Sequence, residues 1–379
     1  MLGRLAPLGL LLLPFVSAKA VLSPRATTAC NNSPDLCSKS YGDITHLGCH
    51  NSPFLKDAST SYSSFGNQYV NTTSQLDAGV RLVTAQVHKK DSEWHLCHSG
   101  CDYLDAGKLS SWLSEIKEWL DNNKNDVVTV LLVNSDSASA SDIDSEFKSA
   151  GIKKYAYKPT SQTSAPSSWP TLQELIKDDT RLLTFVASLD ASKNTDAPYL
   201  MDEFNFIWEN PYDVTSPSNF SCTPDRPSSL KGDVSSALSS NRLPFMNHFL
   251  YQSVIFDIQQ PNASYISTTN APSGGTGNLG DAASKCQKAW SRQPAFILVD
   301  FFDKGPAIDT VDKLNGVSSP TGRKNVTAIS ETSTATTYKN VFKGLVEVVQ
   351  KAKAGSNPSM GEWIWAGGDW GSLGGGLTI

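Results

Sequence analysis

Beyond its first twenty residues the chain has no apolar run approaching the roughly 20 residues that a membrane-spanning helix requires, so no transmembrane span is expected. It has no run of lysine or arginine either. The formal net charge is −5, and −7 without Arg4 and Lys19, which leaves no electrostatic footprint for nucleic acid or for an anionic membrane surface. Any membrane contact is therefore expected to be peripheral and made by specific groups. No internal repeat is present, the cysteines show no two close pairs at zinc-finger spacing, and no cofactor is expected. Histidine is scarce, with six in 379 residues, so the placement of each one carries weight.

What is present begins with a compartment signal. Met1 to Ala20 has a basic start at Arg4, an apolar stretch from Leu8 to Val16 and Ala18-Lys19-Ala20 in the small-x-small pattern of a cleavage site. This predicts a signal peptide over residues 1–20, a mature domain over residues 21–379 and secretion to the extracellular space. The glycine-rich end lacks the spacer and apolar tail of a lipid-anchor signal, so a free, soluble product is expected. Five Asn-x-Ser/Thr sequons, at Asn31, Asn71, Asn219, Asn262 and Asn325, fit a glycosylating secretory route. In such a compartment disulfides persist. Seven cysteines leave at least one unpaired; short loops close most readily, which points to Cys30–Cys37 and Cys97–Cys101, then Cys222–Cys286, with Cys49 spare.

The apolar pattern alternates strands with helices. Strands are predicted over Asp43–Cys49, Gly79–His88, Asp126–Val133, Arg181–Ala187, Asn205–Trp208, Leu243–Leu250 and Ala295–Phe302. Asp126–Val133 is nearly continuous in apolar residues, as a strand covered on both faces should be. Leu109, Trp112, Leu113, Ile116 and Leu120 form the stripe of an amphipathic helix, and further helices are predicted over Leu172–Lys177, Ala282–Ser291 and Tyr338–Lys353. The segments Pro159–Pro170, Thr215–Ser229 and Ser264–Gly280 read as surface loops, since the cores on either side are incomplete alone. Repeated strand and helix units predict an α/β fold, an irregular TIM-type (β/α) barrel in one domain, expected to be a monomer.

Two segments, Thr45-His46-Leu47-Gly48-Cys49-His50-Asn51-Ser52 and His95-Leu96-Cys97-His98-Ser99-Gly100-Cys101, each place a histidine where an apolar run breaks into a loop. One could accept a proton and the other donate one, as general acid–base chemistry requires; the alternative is a pair of histidines satisfied in hydrogen-bond networks. Ile44 to Ser52, Leu76-Asp77-Ala78-Gly79-Val80-Arg81 and Leu96-Cys97-His98 resemble the phosphatidylinositol phospholipase C X-domain superfamily. Trp208-Glu209-Asn210-Pro211-Tyr212-Asp213, Met246-Asn247-His248-Phe249 and Leu298-Val299-Asp300-Phe301 make the chain similar to secreted fungal PLC-like phosphodiesterases. The resemblance implies a barrel with its site at the C-terminal strand ends and a phosphoinositide-like or other phosphodiester substrate. It implies His50 as the general base on the inositol 2-hydroxyl, His98 as the general acid on the departing oxygen, and Asp300 as the carboxylate that orients His50. The alternative for Asp300 is a helix cap or a surface carboxylate.

One stretch departs from the resemblance. Bacterial relatives carry Asp-x-Arg on the second strand and animal relatives a calcium-holding Glu-x-Asp, whereas this chain has Thr84-Ala85-Gln86. Period-2 alternation puts Thr84, Gln86 and His88 on one face. With Asn51, Glu209 and Asn247 they are the candidate substrate-binding residues; for Glu209 and Asn247 a buried network is the alternative. His50, His98 and Asp300 favour a phosphodiesterase yielding a cyclic phosphate. The neutral Thr84 and Gln86 favour a barrel that binds a head group with weak or no turnover, because phosphoryl transfer relies on electrostatic stabilisation. They also argue against calcium, which takes six to eight oxygens and usually several carboxylates.

Overall fold

The computed structural model describes residues 28–253 and 259–326. The leader expected over residues 1–20 and the helix expected over Tyr338–Lys353 lie outside the described residues. Among them the strands are, in chain order, β1 (His46–Cys49), β2 (Leu82–Lys90), β3 (Glu93–Cys97), β4 (Asp105–Lys108), β5 (Val128–Asn134), β6 (Leu182–Ala187), β7 (Leu200–Asp202), β8 (Ile207–Glu209), β9 (Leu243–Asn247), β10 (Tyr251–Ser253), β11 (Gln259–Pro261) and β12 (Phe296–Val299).

Eight of them form one curled parallel sheet in the order β7-β6-β5-β2-β1-β12-β9-β8. From β1 around through β2, β5, β6 and β7, and then through β8, β9 and β12 back to β1, the strands follow chain order, as in a (β/α) barrel. The ladder opens only between β7 and β8, where the short helix Glu203–Phe206 crosses the seam. The expected α/β barrel of irregular TIM type is therefore the observed fold. β3 and β4 extend β2 as an antiparallel ribbon, and β10 pairs β11 separately.

Strand periodicity sorts the side chains into two cores. Leu82, Leu131, Leu183, Phe245, Phe296 and Leu298 point into the barrel, where Tyr41, Trp169 and Phe206 join them. Leu47, Val83, Val130, Leu132, Met246 and Ile297 point outward, against the buried stripe of the helix Leu109–Asn122 and against Leu279, Ala283 and Trp290 of the helix Leu279–Trp290. The inner core fills the N-terminal half of the barrel: Tyr41 Oη lies 2.6 Å from Thr129 Oγ1, and the His46 ring packs against Tyr41 and Phe296. Apart from His46 and Thr129, which join this core, the inward polar residues Gln86, Glu209 and Asn247 lie further toward the C-terminal ends of their strands.

Several expected elements shift. The segment expected as the strand Asp43–Cys49 begins with the 3-10 turn Tyr41–Asp43. The expected strand Asn205–Trp208 is half helix, because Asp202 caps Glu203–Phe206 through the Phe204 N–H. β2 runs past His88 to Lys90 and turns through Asp91 and Ser92, both at positive φ, into β3, the backbone a two-residue hairpin demands. Disulfides join Cys30 to Cys37, Cys97 to Cys101 and Cys222 to Cys286, and Cys49 is free and buried. Of the sequons, Asn71, Asn219 and Asn325 are exposed and Asn262 is half-buried. Asn31 departs from expectation: it is 6% exposed and its Oδ1 accepts the Val127 N–H at 2.7 Å, so in this fold its amide has no room for a glycan.

Candidate active site

The C-terminal ends of neighbouring strands carry the site. His50 follows β1 and Asp300 follows β12; the two strands pair in register from His46 with Phe296 to Cys49 with Val299, so His50 and Asp300 arrive side by side. His50 Nδ1 lies 2.9 Å from Asp300 Oδ1, both residues buried. With Nδ1–H donating to the carboxylate, Nε2 keeps its lone pair and accepts from Asn51 Nδ2 at 3.2 Å.

Asn67 closes this cluster. Its Nδ2 donates to Asp300 Oδ1 at 2.9 Å and lies 3.3 Å from His50 Nδ1, while its Oδ1 accepts from Asn51 Nδ2 at 3.2 Å. Gln68 donates to the carbonyls of His50 and Val299 and so ties β1 to β12 just below the pair.

The second histidine stands on the ribbon side. His98 follows β3 in the Cys97–Cys101 loop, its N–H bonded to the Leu104 carbonyl at 2.9 Å and its Nδ1 3.2 Å from Ser99 Oγ. Its Nε2 is buried with no hydrogen-bond partner. Phe54 and Phe65 pack around the ring. Burial first, then repulsion from His50 and His88, pushes its pKa down to about 3, so the ring is neutral at ordinary pH.

Gln86 connects the two loops. Its Nε2 reaches Asn51 Oδ1 at 3.5 Å and its Oε1 accepts the Ser99 N–H at 2.8 Å. Thr84 Oγ1 accepts the Asn51 N–H at 2.8 Å. The neutral pair on β2 thus fixes the loops that bear both histidines. The residue after each proposed catalytic group, namely Asn51, Ser99 and Phe301, has positive φ, at 52°, 57° and 40°. This is uncommon for non-glycine residues and costly for phenylalanine, and such strain clusters at functional sites. Each left-handed residue turns the chain sharply at the strand end.

His88 lies one step further out than Gln86 on the same face, its Nδ1 3.2 Å from Asp136 Oδ1. Glu209 and Asn247 join each other instead of the histidines: Glu209 is ion-paired to buried Arg226 and accepts from Asn247 Nδ2 at 3.1 Å, and Asn210 holds the Asn247 backbone. Both side chains are buried and bonded to each other beside the open seam, the buried network that stood as the alternative to substrate binding. Nearby Glu203 is pushed up by burial and then by Glu209. His248 faces outward, stacked on Phe220 and bonded to the Thr269 carbonyl. Asn67 and Gln68 escaped the sequence reading, because no motif marks a loop amide whose partner is more than two hundred residues away; Ser99 lay inside the His95 to Cys101 motif, but its contacts with Gln86 and His98 are not legible there.

The donor set does not fit calcium. Asp300 is the one carboxylate in the hydrogen-bonded cluster described, and it is engaged by His50 and Asn67. Among the described residues no helix is long and apolar enough to cross a membrane.

The family described as PI-PLC X 1 matches residues 36–315. The PI-PLC X domain-containing protein 1 of Arthroderma benhamiae is 35% identical over 313 residues, 82% of this chain and 96% of that protein. An uncharacterized secreted protein of the same organism is 34% identical over 78% of this chain and 66% of its own length, so the chain spans just under two thirds of that relative. Among solved structures, a phosphatidylinositol-specific phospholipase C from Listeria monocytogenes is 14% identical with a TM-score of 0.47, over 74% of this chain and 95% of that one. The family match covers most of the chain, and on it, with the Arthroderma relative matched nearly end to end, the protein belongs to the PI-PLC X domain family.

Proposed function

We infer that the protein is a secreted, glycosylated phosphoric diester hydrolase of the phospholipase C type, one barrel domain over residues 21–379 behind a signal peptide over residues 1–20, acting without a cofactor on phosphatidylinositol or a related phosphodiester. The observation that carries this is the His50–Asp300 pair together with the orphaned Nε2 of His98. One imidazole is held ready to accept a proton, and the other has an unused nitrogen.

His50 Nε2 takes the proton of the inositol 2-hydroxyl, whose oxygen attacks phosphorus. Asp300 stabilises the imidazolium that forms. The bond from phosphorus to the glycerol oxygen breaks, and His98 gives that oxygen its proton, releasing diacylglycerol and a cyclic inositol phosphate. His98 acquires that proton when the anionic phosphate enters, because a negative charge beside a desolvated imidazole favours its charged form. Peripheral contact with a membrane surface delivers the lipid.

A second reading, a head-group-binding barrel with little turnover, is favoured by the neutral Thr84 and Gln86, whose polar atoms are spent on the loops. Purified protein incubated with labelled phosphatidylinositol decides between them. A cyclic phosphate product that vanishes in both His50→Ala and His98→Ala supports the hydrolase; binding without product in the wild type supports the second reading.

A further inference from the structure

β2 carries a third histidine on the face that bears Thr84 and Gln86. Two contacts anchor the carboxylate beside it. Asp136, in the turn after β5, places Oδ1 3.2 Å from His88 Nδ1 and accepts the Lys89 N–H on Oδ2 at 2.7 Å. The far nitrogen of His88, Nε2, is buried without a hydrogen-bond partner, as is His98 Nε2. His88 lies two residues beyond Gln86 on the same face of β2, and Gln86 accepts the N–H of Ser99, the residue after His98. His95, directly opposite His88 on β3, is turned to Asp105 at 3.0 Å and does not take up that nitrogen. A buried polar atom left unpaired is costly, and a ligand that pairs it recovers that cost.

We propose that His88, held by Asp136, contacts the phosphoryl group of the substrate and donates an Nε2 hydrogen bond to a non-bridging phosphate oxygen. This rests on the phosphodiesterase reading. With a carboxylate at Nδ1 and a phosphate at Nε2, both ring N–H groups of the imidazolium find acceptors. The positive charge stands where negative charge grows as the inositol oxygen attacks. His88 thereby supplies the electrostatic stabilisation that Thr84 and Gln86 cannot. It transfers no proton: His50 and His98 retain those roles.

The test compares wild type with His88→Ala, His88→Gln and Asp136→Asn on phosphatidylinositol and on the two diastereomers of its phosphorothioate analogue. Circular dichroism and melting confirm that each variant is folded. His88→Ala should lower kcat by roughly a hundredfold with KM changed far less, and should alter the rate ratio between the diastereomers, because one non-bridging atom has lost its donor. His88→Gln should recover part of the rate, and Asp136→Asn should move both readouts in the same direction by less. A merely structural His88 would leave the diastereomer ratio unmoved, and that result in a folded His88→Ala overturns the proposal. In parallel, inorganic phosphate is titrated into protein carrying 15N-labelled histidine. A shift of the His88 Nε2 resonance supports the contact even if the wild type turns nothing over, in which case the phosphodiesterase reading alone fails. An unmoved His88 resonance under phosphate that does shift His98 overturns it as well.

Discussion

Phe249 lies flat on the imidazole of His50, with ring centroids 4.0 Å apart and planes 13° from parallel. Asp300 fixes the rotation of that imidazole within its plane, and Phe249 fixes the plane itself. Replacing Phe249 by leucine keeps most of the buried volume and should cost about 1.5 kcal/mol of stability or less. It removes the flat surface, however, so the base is held less well. Small misplacements of reacting groups cost up to about a hundredfold in rate; here kcat should fall roughly tenfold, with KM nearly constant. Steady-state kinetics on a soluble phosphodiester, beside a melting curve, checks this, and an unchanged kcat would show that Asp300 alone orients the ring.

Buried neutral histidines outside the site give the protein an acid sensitivity that one substitution can isolate. Burial lowers His248 from its ordinary 6.5 to about 4. Because the folded value is the lower one, its neutral form stabilises the fold in full above pH 6.5, and that contribution is lost as pH falls toward 4. The loss amounts to about 3 kcal/mol at about 1.4 kcal/mol per pH unit. Asp202, raised to about 6 mainly by burial, works in the opposite sense over the same interval, so the total stability curve is not diagnostic. The difference between wild type and His248→Gln is. Urea denaturation at pH 7, 6, 5 and 4 should show the deficit of the variant shrinking by about 3 kcal/mol; a constant gap would mean that His248 titrates normally.

Much of this was legible in the sequence, for identifiable reasons. β5 announced itself as a near-continuous apolar run because it is covered on both faces, and His50, His98 and Asp300 stood out as polar residues closing apolar runs. The ribbon of β3 and β4 did not, since its strands are short, their exposed faces are charged, and the turn at Asp91 and Ser92 lacks the glycine that usually marks a hairpin. The Asn205 to Trp208 run reads as a strand until the Asp202 cap is seen to wind its first half into a helix across the seam. Asn67 is invisible for a deeper reason: its role exists only once residues 50, 67 and 300 meet. The burial of Asn31 likewise cannot be read from a tripeptide.

Turnover should not depend on calcium. The oxygens that the second strand offers are already accepting backbone N–H groups, Thr84 Oγ1 from Asn51 and Gln86 Oε1 from Ser99. Freeing them would release both histidine-bearing loops. A calcium site needs six to eight oxygens at 2.3–2.6 Å, typically with several carboxylates. The check is the initial rate with excess chelator and after calcium is restored, and the expected result is a constant rate. A rate lost on chelation and recovered with calcium alone would require a carboxylate set elsewhere in the chain.

Ser99 separates strain from chemistry at the second histidine. Its φ of 57° costs an L-residue about 1–2 kcal/mol that glycine does not pay, partly offset by the greater freedom of glycine in the unfolded chain. Its hydroxyl lies 3.2 Å from His98 Nδ1 and its N–H is bonded to Gln86 at 2.8 Å. Ser99→Gly relieves the backbone and keeps the N–H but frees His98 to rotate. The variant should therefore be as stable as wild type, or more stable by up to about 1 kcal/mol, while kcat drops roughly tenfold or more. Ser99→Ala is the control, since it loses the same hydroxyl and keeps the strain. It should match the glycine variant in kcat without the gain in melting temperature. Full activity in both variants would mean that the hydroxyl does not hold His98 and that Phe54 and Phe65 alone set the ring.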